Sequence, residues 1–459
     1  MKKYSLILAL LFSFSISLNA QELKPLLQSG DRICFIGNSI TQGGGFHADI
    51  FLYYATRFPK EKVSFFNCGV SGDAASEILT RLEPDVFVHK PTMAVLMVGM
   101  NDMIRGFSSD TGEGKSQREQ RMTDTIELYK KTVTVIADSL KAHGCKLIFQ
   151  LPSIYDQTVK NSTENMFGVN DALGKCADFL RSLAPKYNAV VVDYWTIMKN
   201  INEHEQRKDS SFSIVSEDRV HPGESGHLVM AYQFLKTIGA PKYVSKIIID
   251  VKTKKVNEEI NCNAKLESVE KNKIEFSLLE NALPYPVDEE SLSALVLVPF
   301  TEYFNQEILQ VHNLDPGKYD LFIDGVNAGI YTSSDLGKGV NLSMNNLTPQ
   351  YKQALAVMKY CKEYRKIYSD LRGIAVVEYK CLQEYKGADD IEGKKKFLNE
   401  KLEKIKGEWE YSFLKQNCEN YYALKPKESQ LIEELNKIRE QVYKVNIPKA
   451  HSFLIMKKK

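Results

Sequence analysis

The chain reads as an α/β protein: a three-layer, doubly wound parallel sheet, followed by a small C-terminal β domain and a helical segment. Three observations carry this. Short apolar runs alternate with helical patterns from Leu23 to about Ser245, and continuous apolar strands in βαβ order build a parallel sheet covered on both faces. After Lys246 the texture changes to strands with period-two alternation. From Thr348 to about Val445 the sequence turns Lys- and Glu-rich, with apolar residues at helical spacing.

The first strand is Asp31-Arg32-Ile33-Cys34-Phe35-Ile36, stopped by Gly37. Further strands are predicted at Val63–Asn67, Met93–Val98, Lys146–Leu151 and Ala189–Asp193. Between Met93–Val98 and Lys146–Leu151, Met122, Ile126, Tyr129, Val133, Ile136 and Leu140 recur every three or four residues until Gly144. That spacing predicts one long helix. A second helix is expected from about Asn165 to Leu183.

The β domain is placed at 246–347. Its expected strands include Ile274–Leu278, the apolar run Ala294–Val298, and a strand entering a glycine-bearing hairpin turn within Tyr319–Gly329. A sandwich is the expected form. Thr348-Pro349 caps a helix that opens the segment 348–449, with breaks expected at Gly387 and Pro426. The charged helical pattern predicts a helical hairpin with a solvated face in preference to a coiled-coil partner surface. A strand-like stretch at 450–457 is available to complete the β domain, which makes the helical segment an insertion.

At the other end, Lys2 and Lys3 precede an apolar run from Leu6 to Leu18, and Leu18-Asn19-Ala20 offers a small-residue cleavage site. Residues 1–20 therefore predict a secretory signal peptide, too short for a membrane span. With no cysteine at that point, a periplasmic or secreted protein without a lipid anchor is expected, and 21–245 becomes the main domain. A formal net charge of +2 argues against nucleic acid or an anionic membrane as partner. The eight cysteines form no C-x-x-C pair and no Cys/His cluster, so no metal site is expected. Cys34, Cys68 and Cys145 fall in apolar strand patterns and read as small core residues. A disulfide pair elsewhere stays open.

Four loops carry chemistry. Gly37-Asn38-Ser39-Ile40-Thr41 puts a serine at a carboxyl strand end, where open α/β sheets place their ligands; the same residues also suit a helix cap. Gly69-Val70-Ser71-Gly72-Asp73 follows the second strand, and its glycines let a backbone amide approach an anion or make a tight turn. Gly99-Met100-Asn101-Asp102 ends the third strand with an asparagine able to donate to an oxyanion or to cap a helix. Asp218-Arg219-Val220-His221-Pro222 sets a carboxylate three residues before a histidine, a spacing that lets the carboxylate orient the ring. His227, further on, reads as structural.

Taken in order, these blocks resemble those of the SGNH, or GDSL-type, serine hydrolases, over roughly residues 30 to 240. The resemblance implies Ser39 as nucleophile, His221 as general base and then acid, and Asp218 as the group that orients it. It also implies an oxyanion hole made of the backbone amides of Ser39 and Gly72 and the side chain of Asn101. The family's usual aspartate before the serine is Asn38 here. No metal or cofactor is implied. Exported bacterial members with an accessory β domain point to an acylated carbohydrate as substrate and to O-acetyl removal. A lysophospholipase or thioesterase, or a glycan-binding protein without turnover, is the alternative. The polar stretch 106–115 after the Asn101 block is either a lid or a solvated loop.

Overall fold

A computed structural model describes residues 26–107, 115–408 and 411–458. The expected signal peptide, 1–20, lies outside them. In chain order the first domain contains β1 (Arg32–Gly37), α1 (Ser39–Gly43), α2 (Gly45–Arg57), β2 (Ser64–Gly69), α3 (Ala75–Thr80), β3 (Met93–Met97), α4 (Met100–Phe107), α5 (Lys115–Ala142), β4 (Lys146–Gln150), α6 (Val169–Tyr187), β5 (Val190–Val192), α7 (Tyr194–Glu205) and α8 (Glu224–Thr237). Its five strands form one sheet in the order β2-β1-β3-β4-β5, every pair parallel. Ile33, Cys34, Phe35 and Ile36 of β1 are fully buried, as a central strand covered on both faces requires. α2 packs with α8 and α5 packs with α6, and these pairs form the two helical layers of a doubly wound α/β fold. The order reverses at β1, so the carboxyl ends of β1 and β3 open a crevice at the switch point.

The helix at 169–187 begins four residues later than the sequence pattern suggests. Gly168 has a φ of 92° and Asn188, after its last turn, one of 50°, so left-handed residues bound it on both sides.

A β-sandwich follows, built from β6 (Tyr243–Asp250), β7 (Lys255–Ile260), β8 (Cys262–Val269) and β9 (Lys273–Glu280). The short helices α9 (Ala294–Leu297) and α10 (Phe300–Phe304) come next, then β10 (Gln306–His312), β11 (Lys318–Ile323), β12 (Val326–Thr332), α11 (Ser333–Lys338) and β13 (Val340–Asn341). One sheet has the order β13-β10-β6-β7. The other has β12-β11-β14-β9-β8, where β14 is Ala450–Lys457. Ile247, Ile249, Leu309 and Val311 of the first meet Phe276, Leu321, Ile323, Phe453 and Ile455 of the second in one core. Asp324 and Gly325 both have positive φ, 50° and 78°, which is the backbone a two-residue hairpin turn demands.

The run Ala294–Val298, expected as a strand, is helical. It supplies one turn only, with Ala294 buried and Val296 86% exposed, and Pro299 behind it has no N–H to give a ladder. The surrounding stretch packs on the α/β domain instead of the sandwich: Leu283 N–H donates to Thr56 O at 2.9 Å, and Arg57 Nη2 to Phe304 O at 2.7 Å.

Between β13 and β14 stand α12 (Pro349–Lys380), α13 (Ile391–Lys404), α14 (Tyr411–Leu424) and α15 (Glu428–Val445). The expected solvated hairpin is not what forms. Ala354, Val357, Cys361, Tyr364, Tyr368, Leu435, Val442 and Tyr443 of α12 and α15 join the main core of the α/β domain, so the two helices extend its outer layer beside α2 and β2. All eight cysteines are buried and unpaired. Among the described residues no helix is long and apolar enough to cross a membrane.

Candidate active site

The turn after β1 is tightly built. Asn38 caps α1, its Oδ1 accepting the Ile40 N–H at 3.2 Å, and is itself buried. Ser39 is therefore the first helical residue, at the switch-point crevice, with its side chain half-buried. Its Oγ lies 2.6 Å from His221 Nε2. His221 Nδ1 lies 2.5 Å from Asp218 Oδ2. The other carboxylate oxygen accepts the backbone N–H of Val220 at 2.9 Å and of His221 at 3.0 Å.

Burial works against ionisation of Asp218, but the hydrogen bonds from the His221 ring and the two amides outweigh it and hold the carboxyl at about 2. An ionised carboxylate only accepts, so Nδ1 carries the ring proton and Nε2 is left to accept the Ser39 hydroxyl.

The histidine loop is held by a residue the sequence offers no obvious use for. Arg219 has a φ of 69° and is buried. Its guanidinium donates to the carbonyls of Asp156, Val159 and Thr163, and its own carbonyl accepts the Asp156 N–H at 2.8 Å. From the far side, Arg365 of α12 grips Glu224, at the start of α8, through two bonds of 2.9 Å.

Gly72 and Asn101 border the same crevice. Gly72 has a φ of 78°, a conformation that favours glycine, and its N–H makes no bond with any described residue. The Ser39 N–H, at the first position of α1, is likewise uncommitted. Asn101 sits in the first turn of α4, and its Nδ2 donates one hydrogen to Asp73 O at 2.9 Å, leaving the second.

The loop from Gly69 to Asp73 is clamped against α1. Gln42 Oε1 accepts the Ser71 N–H at 2.6 Å, and Gln42 O accepts from Asn67 Nδ2 at 2.9 Å. Arg105 Nη2 donates to Gly72 O. Gln42, Arg105 and Arg219 are thus supporting residues that sequence reasoning passed over. Each is a polar residue in or beside a short loop, and which carbonyl it reaches depends on a partner far away in sequence.

His227 is buried on α8, its ring stacked near Phe46 and against the position a Gly45 side chain would fill. Burial lowers its pKa to about 4, as for a neutral packing residue. Of the stretch 106–115, Gly106 and Phe107 close α4 and Lys115 opens α5, while 108–114 lie outside the described residues.

The chain is similar to known proteins in sequence and in structure. An acetylxylan esterase from Geobacillus stearothermophilus is 24% identical over 226 residues, 46% of this chain and 95% of its own. Its crystal structure superposes with a TM-score of 0.37 at 23% identity, covering 46% of this chain and 96% of that one. A gut microbial diltiazem-metabolizing enzyme matches nearly end to end, with a TM-score of 0.85, 29% identity, and 95% of this chain and 99% of that chain covered. Residues 33–234 match the model of the GDSL-like lipase/acylhydrolase family, and it is to this family that the α/β domain, with its serine at the end of β1, belongs.

Proposed function

We propose that this protein is a serine carboxylic ester hydrolase that removes short acyl groups, O-acetyl above all, from carbohydrate. The observation that carries the reading is the unbroken relay from Ser39 Oγ through His221 to Asp218, at 2.6 and 2.5 Å. A serine hydroxyl is a weak nucleophile until a base takes its proton. In this reading Ser39 Oγ attacks the ester carbonyl carbon as its proton passes to His221 Nε2. The oxyanion accepts hydrogen bonds from the Ser39 and Gly72 N–H groups and from Asn101 Nδ2, each worth on the order of 3 kcal/mol in comparable sites. The C–O bond to the alcohol breaks, His221 gives that oxygen the proton, and an acyl-Ser39 remains. Water, deprotonated by His221, then releases the acid and restores the serine.

The acetyl preference draws support from the relatives. One is an acetylxylan esterase and another metabolises diltiazem. Acetylated xylan and diltiazem share an acetate ester of a secondary alcohol in a ring, and the proposal gives this chain the same class of substrate.

The test is acetate release by the purified protein from p-nitrophenyl acetate, acetylated xylan and diltiazem, with p-nitrophenyl palmitate as the long-chain contrast. The acetates turn over, the palmitate does not, and Ser39→Ala lowers the rate by at least ~10³, as in other serine triads. Equal rates with and without the Ser39 hydroxyl would sink the assignment.

A further inference from the structure

The loop that carries Gly72 is wrapped by a chain of alternating charges, and two links of that chain come from outside the α/β domain. Arg105, beside Gly72 O, pairs with Glu77 at 2.9 Å. Glu77 pairs with Lys380 at 2.9 Å, and Lys380 Nζ stands 2.5 Å from Asp73 Oδ1. Asp73 Oδ2 accepts from Arg81 Nε at 2.7 Å, and Arg81 pairs in turn with Asp85. Asp85 closes the series with Arg372, through bonds of 2.6 and 2.9 Å. Arg372 and Lys380 both belong to α12.

This network touches the backbone next to each of the three oxyanion donors. Arg81 donates to Gly37 O, two residues before Ser39, and to Cys68 O. Arg372 Nε donates to Gly69 O at 2.9 Å, at the root of the Gly72 loop. Asp73, held by Lys380 and Arg81, offers its carbonyl to Asn101 Nδ2. The setting is dry, with side-chain exposures of 0% for Asp73, 2% for Arg81, 6% for Asp85 and 7% for Arg372. Without α12, Arg81 and Arg105 would face three carboxylates, and the buried Asp73 and Asp85 would share one guanidinium. Buried charges left short of partners are relieved by moving or by drawing in water. The arrangement of Asp85 with Arg372 is a settled one: burial opposes its ionisation, yet the two guanidinium groups keep its carboxyl below the usual range.

We propose that Arg372 and Lys380 are positioning residues of the oxyanion hole, so that the accessory helix α12 completes the active site of the α/β domain. The inference rests on the hydrolase reading above. Neither residue touches the reacting atoms. They hold the Gly69–Asp73 loop at the distance from Ser39 at which the Gly72 N–H and Asn101 Nδ2 converge on one oxygen. A displacement of about 1 Å there costs up to ~10² in rate, and it falls on the transition state more than on substrate binding.

The experiment uses the full chain, with p-nitrophenyl acetate as substrate and phenylboronic acid as a probe that forms a tetrahedral, anionic adduct on a nucleophilic serine. In Arg372→Met and Lys380→Met, kcat falls about 10- to 100-fold while KM stays within about twofold, and boronate affinity weakens by a similar factor. Lys380→Arg recovers most of both. A folded Lys380→Met protein with wild-type kcat and wild-type boronate affinity overturns the proposal. That variant decides the matter even if Arg372→Met fails to fold, since the Lys380 side chain is 20% exposed at the last residue of its helix. Ser39→Ala runs alongside: wild-type turnover that Ser39→Ala does not reduce defeats the hydrolase reading and this inference together. Turnover that depends on Ser39 but not on Lys380 defeats this inference alone.

Discussion

Asp218 does two things with its two oxygens because His221 follows it by three residues. One oxygen accepts the amides of Val220 and His221 and shapes the loop, and the other faces the ring. A carboxyl held at about 2 is ionised throughout the range in which such a protein is assayed, so it contributes no acid limb to the rate profile there. Its folded pKa lies below the ordinary carboxyl value near 4. The stability it supplies is therefore present above about pH 4 and is lost as pH falls through about 2. Asp218→Asn keeps an acceptor and the loop but loses the charge that stabilises a protonated ring, whereas His221→Ala removes the proposed base. We expect steady-state kcat to fall by ~10³ or more for His221→Ala and by less for Asp218→Asn; a larger loss for the asparagine variant would mean that the carboxylate does more than orient. At this scale the sequence is legible where the chemistry is local. The serine after an apolar strand, the glycine loop and the Asp-x-x-His spacing stand in short stretches of chain. Arg372 and Lys380 stand some 300 residues from the loop they hold. The one local sign of the first was an arginine four residues after Tyr368, on the buried stripe of an otherwise apolar helix face.

Among the elements, α1 and the end of β2 leave no room for a side chain between them. A Cβ on Gly69 would lie 2.2 Å from Gln42 N and 2.7 Å from Gln42 Cα, which are backbone atoms with no side-chain rotamer to yield. Gly69→Ala must push α1, and with it Ser39, away from the Gly72 loop. Gly43, four residues past Ser39 in the same helix, has nothing within 4 Å of such an atom and a helical φ. The pair makes a contrast measurable by thermal unfolding and by kcat. Gly69→Ala destabilises by about 1–3 kcal/mol, as overpacking does, and loses activity. Gly43→Ala is neutral or stabilising by up to ~1 kcal/mol, because alanine narrows the unfolded chain and fits a helix. Equal melting temperatures for the two would show that the turn can relax. The strands that frame this turn were readable because each is an apolar run ended by glycine or a polar residue. Ala294–Val298 has the same apolar texture but is too short, and too near Pro299, to pair. Periodicity could not separate it from a strand because one helical turn contains no second period.

For the whole molecule, the connectivity decides what can fold alone. The helices α12 to α15 leave the sandwich after β13 and return to it as β14, which lies between β11 and β9 in the middle of its sheet. Both ends of the insertion are thereby tied to the sandwich, while its flank is buried on the α/β domain through Tyr364, Tyr368, Leu435, Val442 and Tyr443. The bonds across that contact are specific as well: Tyr364 OH donates to Phe65 O at 3.0 Å, Arg439 Nη1 to Ser64 Oγ at 3.1 Å, and Asn446 Nδ2 to Ala55 O at 2.8 Å. Sequence periodicity found the helices but not their partner, because a charged, amphipathic pattern is the same whether its apolar stripe meets a sister helix or a distant sheet. A chain cut after residue 245 would expose the outer face of α2 and the β2 edge, and would leave Asp85 and Asp73 on Arg81 alone. Breaking buried ion pairs in this way costs about 3–5 kcal/mol each, a large share of the 5–15 kcal/mol that holds a domain folded. We expect the truncated chain to lose its cooperative thermal transition and to bind a hydrophobic dye, while the full chain melts in one step by calorimetry and by circular dichroism. A truncated chain that stays monomeric, melts sharply and hydrolyses p-nitrophenyl acetate at the full rate would show that the α/β domain is self-sufficient and that its helical cover serves some other end.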